Sequence, residues 1–411
     1  MASSLLGTKT SLGSTARAAA PSRPSLASTR LPTPSPFAAA AARSRTPLQT
    51  STSTRTRALA ESASSAAYAP NPDFDFDSLG FGLTETDEMW VAESGDDGAY
   101  AGGGMNAFGP ITVSPAAQVI NYGQSIFEGM KAQRSPDGNI LLFRPTENAA
   151  RFAAGAARMS MPAVPEEVFV RGVEETVRAN ASYVPPHGKG TLYLRPLLMG
   201  TGPILGLGPA PSYTFLVYCS PVGAYFKGGQ LTPIKLVVEE HFHRAAPGGM
   251  GGTKAAGNYS PVLVTQLSAK KEGYADVLYL DAVENKYIEE VSSCNIFVRK
   301  GKSIKTPPLG GTILPGITRK SVIELARSKG YDVEETPVSV TELLDADEVF
   351  TTGTAVVVCP VGSITYKGKE VVYGDASDPG PTTMEIYDAL TSIQAGTAED
   401  TFGWVHPVLP N

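Results

Sequence analysis

A mixed α/β protein in two halves is what this sequence predicts, on three observations. From about residue 81 onward, short apolar runs of strand length alternate with stretches whose apolar residues recur at helical spacing. That alternation breaks at the glycine-rich segment Gly223-Ala224-Tyr225-Phe226-Lys227-Gly228-Gly229, the expected hinge between the halves. The first 60 residues are a different material from everything after them. The expected organisation is a leader at 1–60, a polar linker at 61–75, a small N-terminal α/β domain at 76–226, a short linker at 227–235 and a larger domain at 236–411.

The leader contains no Asp or Glu, eight Lys or Arg and 21 Ser or Thr. That is the composition of an organelle transit peptide, without the apolar centre of a secretory signal. The Met-Ala-Ser-Ser start and the abundant hydroxyls favour a plastid, with a mitochondrion as the alternative. Removing it leaves 26 basic residues against 40 acidic ones, which argues against a nucleic-acid surface. Apolar content of 42% and charged content of 18% fit a soluble globular chain. No apolar run approaches the ~20 residues that span a bilayer. Cys219, Cys294 and Cys359 are too few and too scattered for a disulfide framework or a zinc site.

Asp73-Phe74-Asp75-Phe76-Asp77 alternates as an amphipathic lead-in strand does, and it lacks the glycine and distal glutamate of a calcium loop. Thr146 is placed to cap a helix reaching Met159, and 165–183 reads as a second helix. Strands follow at 191–199 and 213–220. The second half opens with a strand at 234–239, then a helix at 260–272 and strands at 277–281 and 295–299. Pro315-Gly316-Ile317-Thr318 starts a helix at 318–329, because proline and threonine suit a first turn. Strands at 348–352 and 356–361 and a helix near 384–394 complete the pattern.

Chemistry concentrates at Lys254, within Gly248-Gly249-Met250-Gly251-Gly252-Thr253-Lys254-Ala255-Ala256-Gly257-Asn258-Tyr259. A lysine that forms an imine with a flat aldehyde needs clearance, and partial burial to keep some amine neutral. A lone lysine on such a loop is ordinarily solvated, so its partners decide the matter. A nucleotide loop of the Walker type needs Gly-Lys-Ser/Thr, whereas here Thr253 precedes the lysine and Ala255 follows it. His241 and His243, two apart on a presumed strand, would face one side but lack an obvious third metal ligand. Ile317 and Thr318 open a helix, where free N–H groups and the helix dipole collect anions.

Thirty-six residues after Lys254 comes Glu290-Val291-Ser292-Ser293-Cys294-Asn295-Ile296-Phe297, followed by Leu314-Pro315-Gly316-Ile317-Thr318-Arg319. This ordered signature resembles the class-IV aminotransferases, pyridoxal-phosphate enzymes of fold type IV. Asn121-Tyr122-Gly123-Gln124-Ser125-Ile126-Phe127-Glu128-Gly129-Met130-Lys131 resembles a motif of the branched-chain amino-acid aminotransferases. So do Leu142-Phe143-Arg144-Pro145, Leu192-Tyr193-Leu194-Arg195-Pro196, Gly223-Ala224-Tyr225-Phe226 and Thr351-Thr352-Gly353-Thr354-Ala355. The resemblance runs from about Phe81 to Trp404.

It implies two α/β domains around pyridoxal 5'-phosphate. Lys254 would hold the cofactor and then serve as the base that moves the α-proton. Glu290 would face the pyridine nitrogen, and Tyr259 the phenolic oxygen. Arg151, the N–H groups of Ile317 and Thr318, and Thr354 would bind the phosphate. Tyr122 and the Thr354–Ala355 backbone would take the substrate's α-carboxylate, and Arg195 the distal carboxylate of glutamate. Phe127, Tyr193 and Tyr225 would wall the apolar pocket. Leu205 and Leu207 match a loop that reaches a neighbouring subunit's site, so a homodimer is expected.

The implied reaction exchanges the amino group of leucine, isoleucine or valine with 2-oxoglutarate by a ping-pong course in branched-chain amino-acid biosynthesis. The implied partners are therefore small amino and oxo acids, with no nucleic acid or membrane. Inside the fold the rivals are a D-amino-acid aminotransferase and an aminodeoxychorismate lyase. Tyr193-Leu194-Arg195-Pro196 and Gly223-Ala224-Tyr225-Phe226 argue for the L-branched-chain type. A non-enzymatic plastid binding module would not need the lysine, the glutamate and the phosphate donors together. The sequence departs from animal mitochondrial relatives, which carry Cys-x-x-Cys where it reads Val356-Val357-Val358-Cys359. Thiol regulation at that spot is not implied.

Overall fold

In–out alternation marks the strand Met130–Arg134 and most of the strand Gly190–Gly200 in the first sheet. In a computed structural model that describes residues 69–224, 226 and 230–410, this sheet is formed by β1 (Glu88–Gly95), β2 (Gly104–Ala107), β3 (Ser125–Phe127), β4 (Met130–Arg134), β5 (Ile140–Phe143), β6 (Gly190–Gly200) and β7 (Ser212–Gly223). The leader, residues 61–68 of the polar linker and Tyr225 lie outside the described residues. Period two along β6 buries Leu192, Leu194 and Leu198 on one face and turns Tyr193 and Arg195 to the other.

The buried face packs against α2 (Pro145–Arg158) and α3 (Glu166–Ala179); a short α1 (Gln118–Tyr122) precedes β3. Phe152, Phe169 and Phe215 meet there with ring centroids 5.2–5.9 Å apart. Burying each such ring contributes roughly 1.5–3 kcal/mol.

The second sheet comprises β8 (Ile234–Glu239), β9 (Asp276–Leu280), β10 (Ile288–Val291), β11 (Asn295–Lys300), β12 (Ser303–Thr306), β13 (Asp332–Glu335), β14 (Glu348–Gly353), β15 (Val357–Tyr366) and β16 (Lys369–Val372). Its order is β10-β9-β8-β15-β14-β11-β12-β13, with β16 on β15. Glu290 of β10 also pairs with Asn295 of β11, so six of these strands close into a ring. Leu236, Leu278, Leu280, Ile296 and Ile364 fill one core of this half.

The helices are α4 (Leu263–Lys271), α5 (Ile317–Ser328), α6 (Val340–Leu344) and α7 (Pro381–Gln394). Val322 and Ala326 of α5 and Ile386 and Leu390 of α7 pack with Phe297 and Phe350 of the sheet. The last strand, β17 (Val405–Val408), returns to the first sheet and pairs with β5.

Several expectations need correction. The Asp73–Asp77 stretch is not a strand: the Asp75 carboxylate accepts from the N–H groups of Asp77 and Ser78 and folds it into turns. Helix α2 is not capped by Thr146. It starts at Pro145, with Arg144 at the N-cap in a left-handed conformation (φ 50°) and no side-chain cap. The expected helix at 165–183 ends at Ala179 and continues as a 3₁₀ turn, Ala181–Tyr183. His241 and His243 lie beyond the end of β8, so the shared-face argument does not apply to them; the His243 ring sits on the Leu280 carbonyl.

Candidate active site

Lys254 lies on a loop that runs beside β3 of the first sheet. Its carbonyl accepts from the Phe127 N–H of β3 at 3.1 Å, and Ala255 bridges to Ile126. The Asn258 amide ties down the loop through the carbonyls of Met250 and Thr253, each at 2.8 Å. The lysine amine donates to the Tyr259 hydroxyl at 3.2 Å and stands 4.7 Å from the Phe127 ring centre. Burial, and secondarily the Arg151 guanidinium, lower its pKa to about 8.

The glycines have a different purpose from clearance around this amine. A Cβ on Gly251 would meet the Thr312 carbonyl at 2.1 Å, and the Gly252 N–H bonds the Gly311 carbonyl at 2.7 Å. They let the lysine loop lie flat on the 311–312 backbone.

Glu290 is supplied by β10 and is 2% exposed. Its Oε1 accepts from the Asn295 amide at 2.9 Å and the Leu314 N–H at 2.5 Å, while Oε2 faces Arg244 at 3.1 Å. Burial pushes its pKa up to about 7, against the pull of Arg244. Such a carboxylate suits a buried protonated ring nitrogen, because the added positive charge favours its ionised form.

Arg151 projects from α2 and is gripped by Glu128, which is fully buried: Nε to Oε1 at 2.7 Å and Nη2 to Oε2 at 2.6 Å. Asn148 donates to the same carboxylate at 2.8 Å. The third arm of the guanidinium reaches the Pro315 carbonyl at 3.0 Å, just ahead of α5. That helix begins at Ile317 with no side-chain cap, so its first N–H groups remain available to an anion.

Ile317, Thr318 and Thr354 line one small cavity, and the Thr354 hydroxyl donates to the Gly129 carbonyl at 3.3 Å. An anion cup of this kind fits a phosphate ester. Arg144 bonds Ser321 and Glu324 of α5, and Lys320 pairs with Glu147 of α2, so the two helices that form the cup are clamped together.

A cavity of about 540 Å³ opens on the other side of Lys254, lined by Phe81, Phe127, Tyr193, Arg195, Tyr259 and the 353–356 turn among others. Arg195 lies over the rings of Phe127 (4.8 Å) and Tyr193 (5.3 Å) and donates to the Tyr193 hydroxyl at 3.3 Å; its Nε has no partner among the described residues. Gly129 leaves room here: a Cβ on it would stand 2.2 Å from that hydroxyl, so the tyrosine would have to shift.

The structure thus gathers Lys254, Tyr259, Glu290, Arg151, Ile317, Thr318, Thr354, Ala355, Phe127, Tyr193 and Arg195 around this region. Tyr122 is not among them. It is 49% exposed and donates to the Leu205 carbonyl at 3.3 Å, away from both walls of the chain's own cavity. Tyr225 lies outside the described residues.

Sequence reasoning missed Phe81, Glu128, Arg244 and Asn295. Glu128 and Asn295 stand inside quoted motifs, whereas Arg244 has no local signal: it meets Glu290 because β8 and β10 both flank β9.

Residues 125–364 match the family described as Amino-transferase class IV. The chain belongs to that class and is a transaminase; its substrates are amino acids and 2-oxo acids. The cofactor of the class is pyridoxal 5'-phosphate, which one solved relative carries as pyridoxamine 5'-phosphate.

Within the class the relatives are specific. The chain is 58% identical over 328 residues to branched-chain-amino-acid aminotransferase 3, chloroplastic, of Arabidopsis thaliana, covering 80% of this chain and 79% of that one. It is 57% identical to branched-chain amino acid aminotransferase 2, chloroplastic, of Humulus lupulus, covering 80% of each. The Escherichia coli branched-chain amino acid aminotransferase superposes with a TM-score of 0.68 at 29% identity, covering 79% of this chain and all of that one. The Thermoproteus uzoniensis branched-chain aminotransferase, solved with norvaline, gives 0.66 at 28% identity, covering 79% and 100%. This chain belongs to the branched-chain amino-acid aminotransferase family.

Proposed function

We propose that this chain exchanges the amino group of leucine, isoleucine or valine with 2-oxoglutarate in two half-reactions at one site. It works in the plastid, mainly in the synthetic direction, after loss of a transit peptide at 1–60. The observation that carries this reading is the convergence of Lys254 and Tyr259 of one loop with Glu290 of β10 and Arg151 of α2, beside a cavity that is aromatic and cationic at once.

When bound, pyridoxal 5'-phosphate supplies an electron-accepting ring that holds the amino group between the half-reactions. The rest is work of this chain. Arg151, the α5 N–H groups and Thr354 hold the phosphate. Glu290, steadied by Arg244 and Asn295, keeps the ring nitrogen protonated. Lys254 Nζ takes the proton from the substrate's α-carbon and returns one, and its lowered pKa leaves part of the amine neutral. The Tyr259 hydroxyl keeps that amine aimed.

The aromatic walls at Phe127, Tyr193 and Phe81 receive the branched alkyl group. Arg195, whose Nε is unpartnered among the described residues, receives the distal carboxylate of glutamate. One pocket thereby serves an apolar and a charged side chain. Tyr225 remains assigned to the apolar wall.

Tyr122 serves a second copy in a homodimer. It stands beside Ile120, Leu205 and Leu207, which are 59%, 91% and 84% exposed, an apolar surface that a monomer would leave in water.

Reconstitution with pyridoxal phosphate followed by parallel assays of L-leucine and D-alanine with 2-oxoglutarate tests the reading. Turnover of L-leucine is expected. Preference for D-alanine would move the chain to another activity of the fold, and no borohydride-reducible adduct would remove the transaminase reading altogether.

A further inference from the structure

Lys131 is a lysine that the reaction scheme does not use. It lies on β4, directly opposite Tyr193 of β6. Among the described residues no carboxylate pairs with its amine, and its one hydrogen bond runs to the Ala355 carbonyl at 3.4 Å. Desolvation lowers its pKa to about 8. A charged group that gives up hydration without an ion pair is costly to keep, so its bond to Ala355 calls for a reason.

Ala355 belongs to the turn between β14 and β15, and that turn is strained. Val357, where β15 begins, has φ 59°, a left-handed conformation that a β-branched residue strongly resists. Two bonds from the first half of the chain hold the turn: the Thr354 hydroxyl to the Gly129 carbonyl, and the Lys131 amine to the Ala355 carbonyl. The turn is also a partition. Ala355 and Val356 line the cavity that contains Lys254, and they line a second cavity of about 320 Å³ that contains Lys131. Lys131 does not line the first.

A trans peptide is planar, with its C=O and N–H opposed. Holding the Ala355 carbonyl toward Lys131 therefore turns the N–H of the same peptide, that of Val356, away from Lys131. We propose that Lys131 is a positioning residue that fixes the Ala355–Val356 peptide so that its N–H faces the substrate cavity and receives the α-carboxylate. This rests on the reading given under Proposed function and adds to it the group that sets the turn's orientation. Lys131 also lines the small cavity of Ile317, Thr318 and Thr354, but it does not reach the substrate cavity, and toward the substrate it acts through the turn.

The test uses holoenzyme with its cofactor band verified and two non-reacting ligands, 4-methylvalerate and its neutral amide, titrated by calorimetry. Lys131→Met should weaken the carboxylate about tenfold, the worth of one hydrogen bond, and leave the amide unchanged. Lys131→Gln, which can still donate to the carbonyl, should recover most of the loss; it also carries the comparison if the methionine variant does not fold. In turnover the same variants should raise KM for amino and oxo acids more than they lower kcat. If Lys131→Met weakens both ligands alike, or neither, the inference falls while the transaminase reading stands. If the unsubstituted holoenzyme fails to prefer the carboxylate, the functional reading falls and takes this inference with it.

Discussion

Glu290 and Tyr122 are both polar residues expected at the site, yet their surroundings are opposite. Glu290 is 2% exposed and answered by Arg244, Asn295 and the Leu314 N–H. Tyr122 is 49% exposed, holds one bond to the Leu205 carbonyl and stands among apolar side chains open to solvent. The end of the site that would hold the cofactor is over-determined by groups of the same chain, whereas the outer edge is unfinished. A buried carboxylate must have its partners in place for the fold to tolerate it, while an exposed tyrosine can wait for a second copy.

The comparison can be broken first at Lys254. Lys254→Ala should lower turnover by at least about 10⁴-fold, the upper range for a positioned acid–base group. It should also abolish the borohydride-reducible adduct, with thermal unfolding unchanged within a few degrees. Near-normal rates would remove the assignment. The outer edge responds differently: Leu205→Asp with Leu207→Asp should shift sedimentation toward monomer and cut turnover about a hundredfold, while each chain still forms the adduct. A monomer with full activity would show that Tyr122 contributes nothing across an interface. Arg195→Ala lies between the two regions. It should slow the glutamate half-reaction roughly a hundredfold and the leucine half-reaction only severalfold, since only one substrate brings a second carboxylate. Equal losses in single-turnover spectra would end that role.

How much of this was legible follows from how each feature is encoded. Periodicity gave the strands at 234–239 and 295–299 almost to the residue, and the helix at 318–329 within one. Tyr193 and Arg195 share a face because they are two apart on β6, which the sequence states directly. The Asp73–Asp77 alternation misled because side-chain carboxylates competed for the backbone and folded it into turns. The start of α2 was misplaced because Arg144 is spent on Ser321, Glu324 and the Trp404 carbonyl, contacts made from the far end of the chain. Arg244 and Lys131 could not be found locally. Each matters through a partner more than 40 residues away that only the strand order brings near.

The smallest expected effect is also the sharpest test of how self-contained the cofactor end is. The neutral amine of Lys254 is the species that attacks an aldehyde. With a pKa of about 8, its neutral fraction rises about tenfold per pH unit below that value and levels off above it. The rate at which cofactor-free protein captures pyridoxal phosphate should follow the same curve. An ordinary lysine would keep gaining to beyond pH 10. Burial is the main cause of the shift and the Arg151 charge the second, so Arg151→Gln should move the midpoint upward by part of the difference. The Leu205/Leu207 double variant should leave it unmoved, because every group that sets it belongs to the same chain. A midpoint that climbs toward 10 in that variant would mean the second copy helps to exclude water from Lys254, and the division between a finished inner end and an unfinished outer edge would have to be redrawn.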